Sequence, residues 1–292
     1  MKLLFSLFLL FSGISQMAVE KNPKKSLFDK SAHEIRSIIN TQIMAINAQQ
    51  SVVHSVEDKT ITKEERTTNL RIYKSNDQTN NPLILFIHGG AWVAGSLDTH
   101  DNLTRYLCSQ VNATVVSVGY LNAPEGKFPL QLEQCYDALL WSIEHAKELG
   151  INNNKIAIVG DSAGGNMAAA LCLMIKQKSG PKISLQVLIN PAPDLTCNGT
   201  LEYQNDSLDI LRWQAKHYFN HETDVTNCLV SPTTAKDFSD LPEALILLAE
   251  NDPLRADGEK YADQLTNAGI TTSIYCQKNI GHLAGMGAQA SP

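Results

Sequence analysis

A serine set between glycines is the first candidate for chemistry in this sequence. The segment GDSAG at residues 160–164 has the form G-x-S-x-G, follows an apolar run and precedes a helical pattern. A sharp turn from strand to helix exposes the serine hydroxyl, and glycines are needed where side chains would collide with the flanking elements. The N-terminus of the following helix can stabilise a developing negative charge. We therefore predict that Ser162 is a nucleophile.

A histidine base and a carboxylate must accompany such a serine, because its hydroxyl is otherwise a weak nucleophile. Asp252 and His282 each follow an apolar run, and His282 is the only histidine after Asp252. Serine, acid, histidine is the chain order expected for a nucleophile on a strand–turn–helix elbow. Glu250 and Asp257 are rival acids, but Asp252 is preferred. Glu250 is expected to be buried or to face away, and Asp257 is expected to lie on a solvated helix face.

Consecutive glycines follow a second apolar run, in the motif HGGAW at residues 88–92. Without a Cβ, their backbone N–H groups can approach a ligand oxygen closely. We predict an oxyanion hole made by the N–H groups of Gly89, Gly90 and Ala163. The histidine of the motif is expected to brace the loop, and Trp92 either lines an acyl pocket or packs in the core.

These groups must be held by a sheet, and the rest of the sequence predicts one. Continuous apolar runs of strand length indicate strands buried on both faces, and they lie at residues 83–87, 114–118, 156–159, 185–189 and 244–249. Helical patterns lie between several of them, notably at 131–149 and 166–178. The predicted fold class is α/β, with a mostly parallel sheet covered by helices on both faces. Ligands bind beyond the carboxyl ends of such strands, where the motifs above lie.

Two further patterns precede this sheet. Residues 67–73 alternate like a half-exposed strand. Isoleucines recur at helical spacing nearer the N-terminus, at positions 35, 38, 39, 43 and 46. They predict a helix that packs on another part of the protein.

Composition excludes several classes of function. The 292 residues are 43% hydrophobic, enough for one large domain with a buried core. The net charge of −6, from 30 acidic and 24 basic residues, argues against a nucleic-acid partner. Beyond the N-terminus no apolar stretch reaches the roughly 20 residues of a membrane span. A small-molecule substrate is the expected partner.

The N-terminus and the cysteines indicate the cellular compartment in which the protein is expected to work. Residues 1–15 combine Lys2, an apolar run and small residues, which is typical of a secretory signal peptide. We expect a secreted or periplasmic protein, with an uncleaved interfacial anchor as the alternative. The six cysteines show no CxxC spacing and no clustering with histidine, so no metal site is expected. Cys197 and Cys228 could pair in an oxidising compartment, or all six could be free thiols.

With these motifs in order, the chain resembles the bacterial hormone-sensitive-lipase-like esterases over about residues 67–292. The resembling segments are HGGAWVAGSLDTHD (88–101), YLNAPEGKFP (120–129), GDSAGGNMA (160–168), SPTTAKDFSDLPEALILLAENDPLRADGEKYADQL (231–265) and the dipeptide at 281–282. The resemblance implies an α/β-hydrolase domain at 61–292 under a small helical cap, built from residues 16–60 and an insertion near 197–230.

The same resemblance implies a function. It implies a carboxylesterase for short- to medium-chain acyl esters, working without metal or cofactor. The family's catalytic triad carries over to Ser162, Asp252 and His282. Trp213 and Tyr218 match an aromatic pair of the cap and, with Trp92, are the candidate substrate-binding residues.

Some positions depart from the family pattern. Ala91 replaces the third glycine of the oxyanion loop, and Leu121 replaces an arginine. The chain ends ten residues after His282 (292 − 282), where the family continues with a helix, so we expect that this final helix is missing and the sequence truncated. Two alternative functions stay open, an arylformamidase-like amide hydrolase and a non-catalytic binding protein.

Overall fold

A computed structural model describes residues 31–46, 50–196 and 216–283 of the chain. The helices are α1 (Ala32–Ile46), α2 (Asp101–Val111), α3 (Leu130–Glu144), α4 (Ala146–Leu149), α5 (Ala163–Gln177) and α6 (Arg255–Asn267). The strands are β1 (Ser55–Lys63), β2 (Arg66–Lys74), β3 (Asn81–Ile87), β4 (Thr114–Gly119), β5 (Ile151–Asp161), β6 (Leu185–Ile189), β7 (Glu243–Asn251) and β8 (Thr272–Gly281). Two short 3₁₀ helices lie at Glu222–Thr226 and Pro232–Thr234.

The strands form one eight-stranded sheet in the order β1-β2-β4-β3-β5-β6-β7-β8. β1 pairs antiparallel with β2, and β2 pairs antiparallel with β4. All pairs from β4 to β8 are parallel. This confirms the predicted α/β-hydrolase fold. The order in which the chain adds strands to the sheet reverses at β3, which lies between β4 and β5. Sheets of this kind bind ligands in the crevice at such a reversal, beyond the carboxyl ends of the strands.

Burial on both faces explains the continuous apolar runs. In β3, Leu83, Leu85 and Ile87 point into the larger core, while Ile84 and Phe86 point into the core on the other face. Side chains alternate between the faces of a strand, so only an uninterrupted apolar run can fill both layers. Helices α3, α5 and α6 supply the larger core, and α2 packs on the opposite face.

Several expectations fall at the margins of the described residues. β1 is part of the sheet, so the sheet begins before the predicted domain boundary at residue 61. The predicted signal peptide at 1–15, residues 197–215 of the predicted cap and residues 284–292 lie outside the described residues. Among the helices that the structure describes, none has the length and apolarity that crossing a bilayer requires.

The cysteines of the described residues are unpaired. Free thiols occur at Cys108, Cys135, Cys172, Cys228 and Cys276. Cys197 lies outside the described residues. Because Cys228 is a free thiol, the structure favours the free-thiol alternative over a Cys197–Cys228 disulfide.

Candidate active site

Ser162 lies on a sharp turn between β5 and α5. Its backbone has φ 52° and ψ −118°, a conformation that costs a non-glycine residue about 1–3 kcal/mol. The Ser162 N–H donates to the Ile189 carbonyl at 2.8 Å, which ties the turn to the end of β6. A Cβ at Gly160 would overlap the Gly164 carbonyl, and one at Gly164 would overlap the Ile87 carbonyl. The two glycines are therefore required by close packing, as the sequence predicts.

His282 bridges the serine and a buried carboxylate. Its Nε2 lies 3.0 Å from Ser162 Oγ, and its Nδ1 lies 2.8 Å from Asp252 Oδ2. Because a carboxylate can only accept, Nδ1 is the donor and Nε2 is left to accept the serine proton. The His282 side chain is 32% exposed, whereas that of Asp252 is 1% exposed. A substrate can thus approach the histidine while the carboxylate stays shielded from water.

The surroundings of Asp252 keep it ionised. Asn190 Nδ2 donates to Oδ2 at 2.6 Å, and the Leu254 N–H donates to Oδ1 at 2.9 Å. Burial acts to raise the pKa of Asp252, but the charge of His282 and these hydrogen bonds outweigh it and hold the pKa below its ordinary value. Asn190 was missed in the sequence analysis, although its position directly after β6 is a signal that could have found it.

Neither rival acid, Glu250 or Asp257, hydrogen-bonds to His282 within the described residues. Glu250 accepts from Lys278 Nζ at 2.9 Å and from the Asn279 N–H at 2.8 Å, so it anchors the end of β8. Asp257 lies in helix α6, but the prediction of a solvated position is wrong, because the residue is only 2% exposed. Burial, and then the charge of Asp194, raise the pKa of Asp257 to about 7.

The loop at residues 88–95, here called the oxyanion loop, differs in one respect from the prediction. The Gly89 N–H donates to Asp161 Oδ1 at 2.9 Å, so this group is already engaged inside the protein. The N–H groups of Gly90, Ala91 and Ala163 have no acceptor within the described part of the chain. We therefore replace Gly89 by Ala91 in the proposed oxyanion hole, whose donors become the N–H groups of Gly90, Ala91 and Ala163.

His88 braces the loop from below. It is fully buried, its ring stacks on Tyr120 with centroids 4.1 Å apart, and its Nδ1 lies 2.8 Å from the Gly89 carbonyl. Burial and the neighbouring His100 lower the pKa of His88 to about 3. A neutral, enclosed imidazole agrees with the predicted structural role and not with proton shuttling.

The aromatic residues are divided between the described and undescribed parts of the chain. Trp92 and Tyr218 are both fully buried and stack with centroids 5.1 Å apart. Phe128 meets Tyr218 edge-on at 6.1 Å. Of the two readings of Trp92, the structure favours packing over direct lining of an acyl pocket. Trp213 lies outside the described residues.

Comparison with known proteins yields one family and several similar enzymes. A sequence model of the family described as alpha/beta hydrolase fold matches residues 84–285. An arylesterase of Saccharolobus solfataricus is 39% identical over 245 residues, which cover 82% of this chain and 79% of that protein. A carboxylesterase of Mycobacterium tuberculosis is 36% identical over 70% of this chain and 66% of its own length. The structure of a hyperthermophilic esterase from Pyrobaculum calidifontis superposes with a TM-score of 0.82 at 34% identity, covering 88% of each chain.

Proposed function

Because this chain belongs to the hormone-sensitive-lipase-like family of α/β hydrolases and is a carboxylesterase, we propose that it cleaves short- to medium-chain acyl esters through a Ser162–His282–Asp252 triad. One observation carries the proposal. A continuous line of contacts runs from Ser162 Oγ to His282 Nε2 at 3.0 Å and from His282 Nδ1 to Asp252 at 2.8 Å. This arrangement supplies a nucleophile, a base and a group that orients the base.

In the first half of the proposed reaction, Ser162 Oγ attacks the ester carbonyl carbon as His282 Nε2 takes the hydroxyl proton. The carbonyl π electrons move to oxygen, and the N–H groups of Gly90, Ala91 and Ala163 stabilise that charge. When the tetrahedral intermediate collapses, the C–O bond to the alcohol breaks and His282 returns the proton to the leaving alkoxide. The product is a free alcohol and an acyl ester on Ser162.

In the second half, water takes the place of the alcohol. His282 accepts a proton from water as its oxygen attacks the acyl carbon, and the same N–H groups stabilise the second intermediate. Collapse releases the carboxylic acid and returns the proton to Ser162 Oγ. The Asp252 carboxylate stabilises the imidazolium in both halves and keeps Nδ1 as the protonated nitrogen.

Hydrolysis of p-nitrophenyl esters from acetate to decanoate tests the proposal. We expect activity that is highest for short chains, and a loss in Ser162→Ala of about 10⁴-fold or more in kcat. The control is Ser109→Ala, which removes a hydroxyl on helix α2 that donates to the Tyr106 carbonyl. Wild-type turnover by Ser162→Ala would refute the assignment.

Two further measurements separate the alternatives. Faster cleavage of an aryl formamide than of the matching aryl acetate would favour the amidase. A wild-type protein that does not react with a fluorophosphonate probe would favour a non-catalytic binding protein. We expect covalent labelling of the wild type and none of Ser162→Ala, since the probe requires an activated serine.

A further inference from the structure

Helix α1 lies against the oxyanion loop. Ile35 is fully buried and packs in one small cluster with Val93 and Ala94 of the loop and with Ala123. Ile39, one turn further along the helix, packs on the same cluster. The face of α1 that carries Ile35 and Ile39 is therefore the face that meets the loop.

Polar contacts reinforce this packing at two backbone positions of the loop. Arg36 Nε donates to the Val93 carbonyl at 2.7 Å, and its Nη2 donates to the Ala123 carbonyl at 2.9 Å. Asn40 Oδ1 accepts from the Gly95 N–H at 2.8 Å. Arg36 and Asn40 are four residues apart, so they project from the same side of the helix.

The loop needs such support because its backbone is strained. Gly90, Ala91 and Trp92 have consecutive positive φ angles of 122°, 55° and 62°. Ala91 and Trp92 carry a Cβ, and such conformations persist only where the surroundings hold them in place. Within the loop, the Val93 and Ala94 N–H groups donate hydrogen bonds to the Gly90 carbonyl, at 3.2 Å and 2.8 Å.

The strained residues are held from both sides. Before them, the Gly89 N–H is fixed by Asp161, the residue that precedes the nucleophile. After them, the Val93 carbonyl and the Gly95 N–H are fixed by α1. On this second side α1 acts together with the Ala123 N–H and Gln131 Nε2, which donate to the Trp92 carbonyl at 2.8 Å and 3.1 Å. The N–H groups of Gly90 and Ala91 lie between the two sides.

We propose that α1 is a positioning element of the catalytic centre, in which Arg36 and Asn40 hold the oxyanion loop so that the Gly90 and Ala91 N–H groups face the substrate carbonyl. The inference rests on the proposed function. Arg36 and Asn40 act through the loop and touch no reacting atom. The negative charge develops in the transition state, so loosening the loop lowers kcat and leaves KM nearly unchanged.

The test compares Arg36→Met, Asn40→Ala and the double variant in the full chain. Each is assayed for kcat and KM with p-nitrophenyl butyrate and for the Ki of an aryl trifluoromethyl ketone, whose adduct with a serine carries an oxyanion. In the double variant we expect kcat to fall on the order of 10- to 100-fold and Ki to rise by a similar factor. KM is expected to stay at its wild-type value, and the urea midpoint of unfolding is measured to show that each variant is folded in the assay.

Two matched controls are available. Gln42→Ala removes an amide from an exposed position of the same helix, two residues from Asn40. Glu125→Gln weakens only the ion pair of Arg36, whose Glu125 side chain is 53% exposed, and leaves both carbonyl contacts possible. Exposed ion pairs contribute little, so both controls are expected to keep wild-type kcat and Ki.

Three outcomes would overturn the inference. They are unchanged kcat and Ki in the double variant, a loss of kcat matched by an equal rise in KM, and a loss of kcat that equals the fraction of unfolded protein in the assay. If wild-type turnover does not depend on Ser162, the proposed function itself fails. Ser162-dependent turnover that is insensitive to Arg36 and Asn40 rejects only the role of the helix.

Discussion

Replacing Asp257 by asparagine is expected to stabilise the protein at pH 8 by more than at pH 5. Asp257 is buried in helix α6, and its Oδ1 has no hydrogen-bond partner within the described residues. Asp194 lies nearby and is paired with Lys260 Nζ at 2.7 Å. Although burial acts to raise the pKa of Asp194, that pair and other hydrogen bonds outweigh it and hold the pKa low. Asp257 therefore faces an ionised neighbour in a poorly hydrated position.

The magnitude follows from the pKa. In the folded protein the pKa of Asp257 is raised from 3.8 to about 7, whereas the unfolded chain keeps the ordinary value. Well below pH 3.8 the residue is protonated in both states, so its ionisation contributes nothing to the free energy of unfolding. Between pH 3.8 and 7 the unfolded state ionises first, so stability falls as pH rises, by about 1.4 kcal/mol per pH unit. Above pH 7 the loss levels off at about 4 kcal/mol.

Urea unfolding of the wild type and Asp257→Asn at pH 5 and pH 8 measures this effect. We expect the variant to be more stable by about 4 kcal/mol at pH 8 and by about 2 kcal/mol at pH 5. Asp263→Asn, on the exposed side of the same helix, is the control and is expected to change neither value. A variant that is no more stable at pH 8, or that gains equally at both pH values, would refute the reasoning, since only ionisation produces the difference.

Three other substitutions test the site and the core. Asp252→Asn is expected to lower kcat by about 10⁴-fold in ester hydrolysis, because an amide does not select the required histidine tautomer; an unchanged kcat would contradict the triad. Asn190→Ala removes the 2.6 Å donor to Asp252 and is expected to lower kcat by up to about 10-fold, whereas equal rates would show that the carboxylate is held without it. Leu171→Ala, at a fully buried position of α5, is expected to lower the free energy of unfolding in urea by about 2–5 kcal/mol. Leu121→Ala, at a position that is 46% exposed, is its control, and equal losses in the two would contradict the burial argument.

Local pattern was sufficient for the elements that carry the site. The apolar runs predicted β3 to β7, because a strand buried on both faces has no polar position to interrupt it. The GDSAG motif predicted the elbow at Ser162, because the turn tolerates nothing larger than hydrogen at its two glycines. The isoleucines near residue 38 likewise predicted helix α1.

Other features depend on which surfaces meet, and local pattern could not supply them. The Gly89 N–H reaches Asp161, 72 residues away, which removes it from the proposed oxyanion hole. Asn190 reaches Asp252 across 62 residues, from the end of the neighbouring strand. Spacing along the chain carries no information on such pairs, since they depend on the strand order.

The sequence by itself determined the α/β fold class, the nucleophile elbow and the chain order of the three candidate catalytic residues, since each is written in periodicity or in a short motif. Only the tertiary structure decided the burial of Asp257, the hydrogen bond from Asn190 to Asp252 and the contact of α1 with the oxyanion loop. These depend on long-range packing, in which a polar residue faces either water or a partner according to what the fold brings against it.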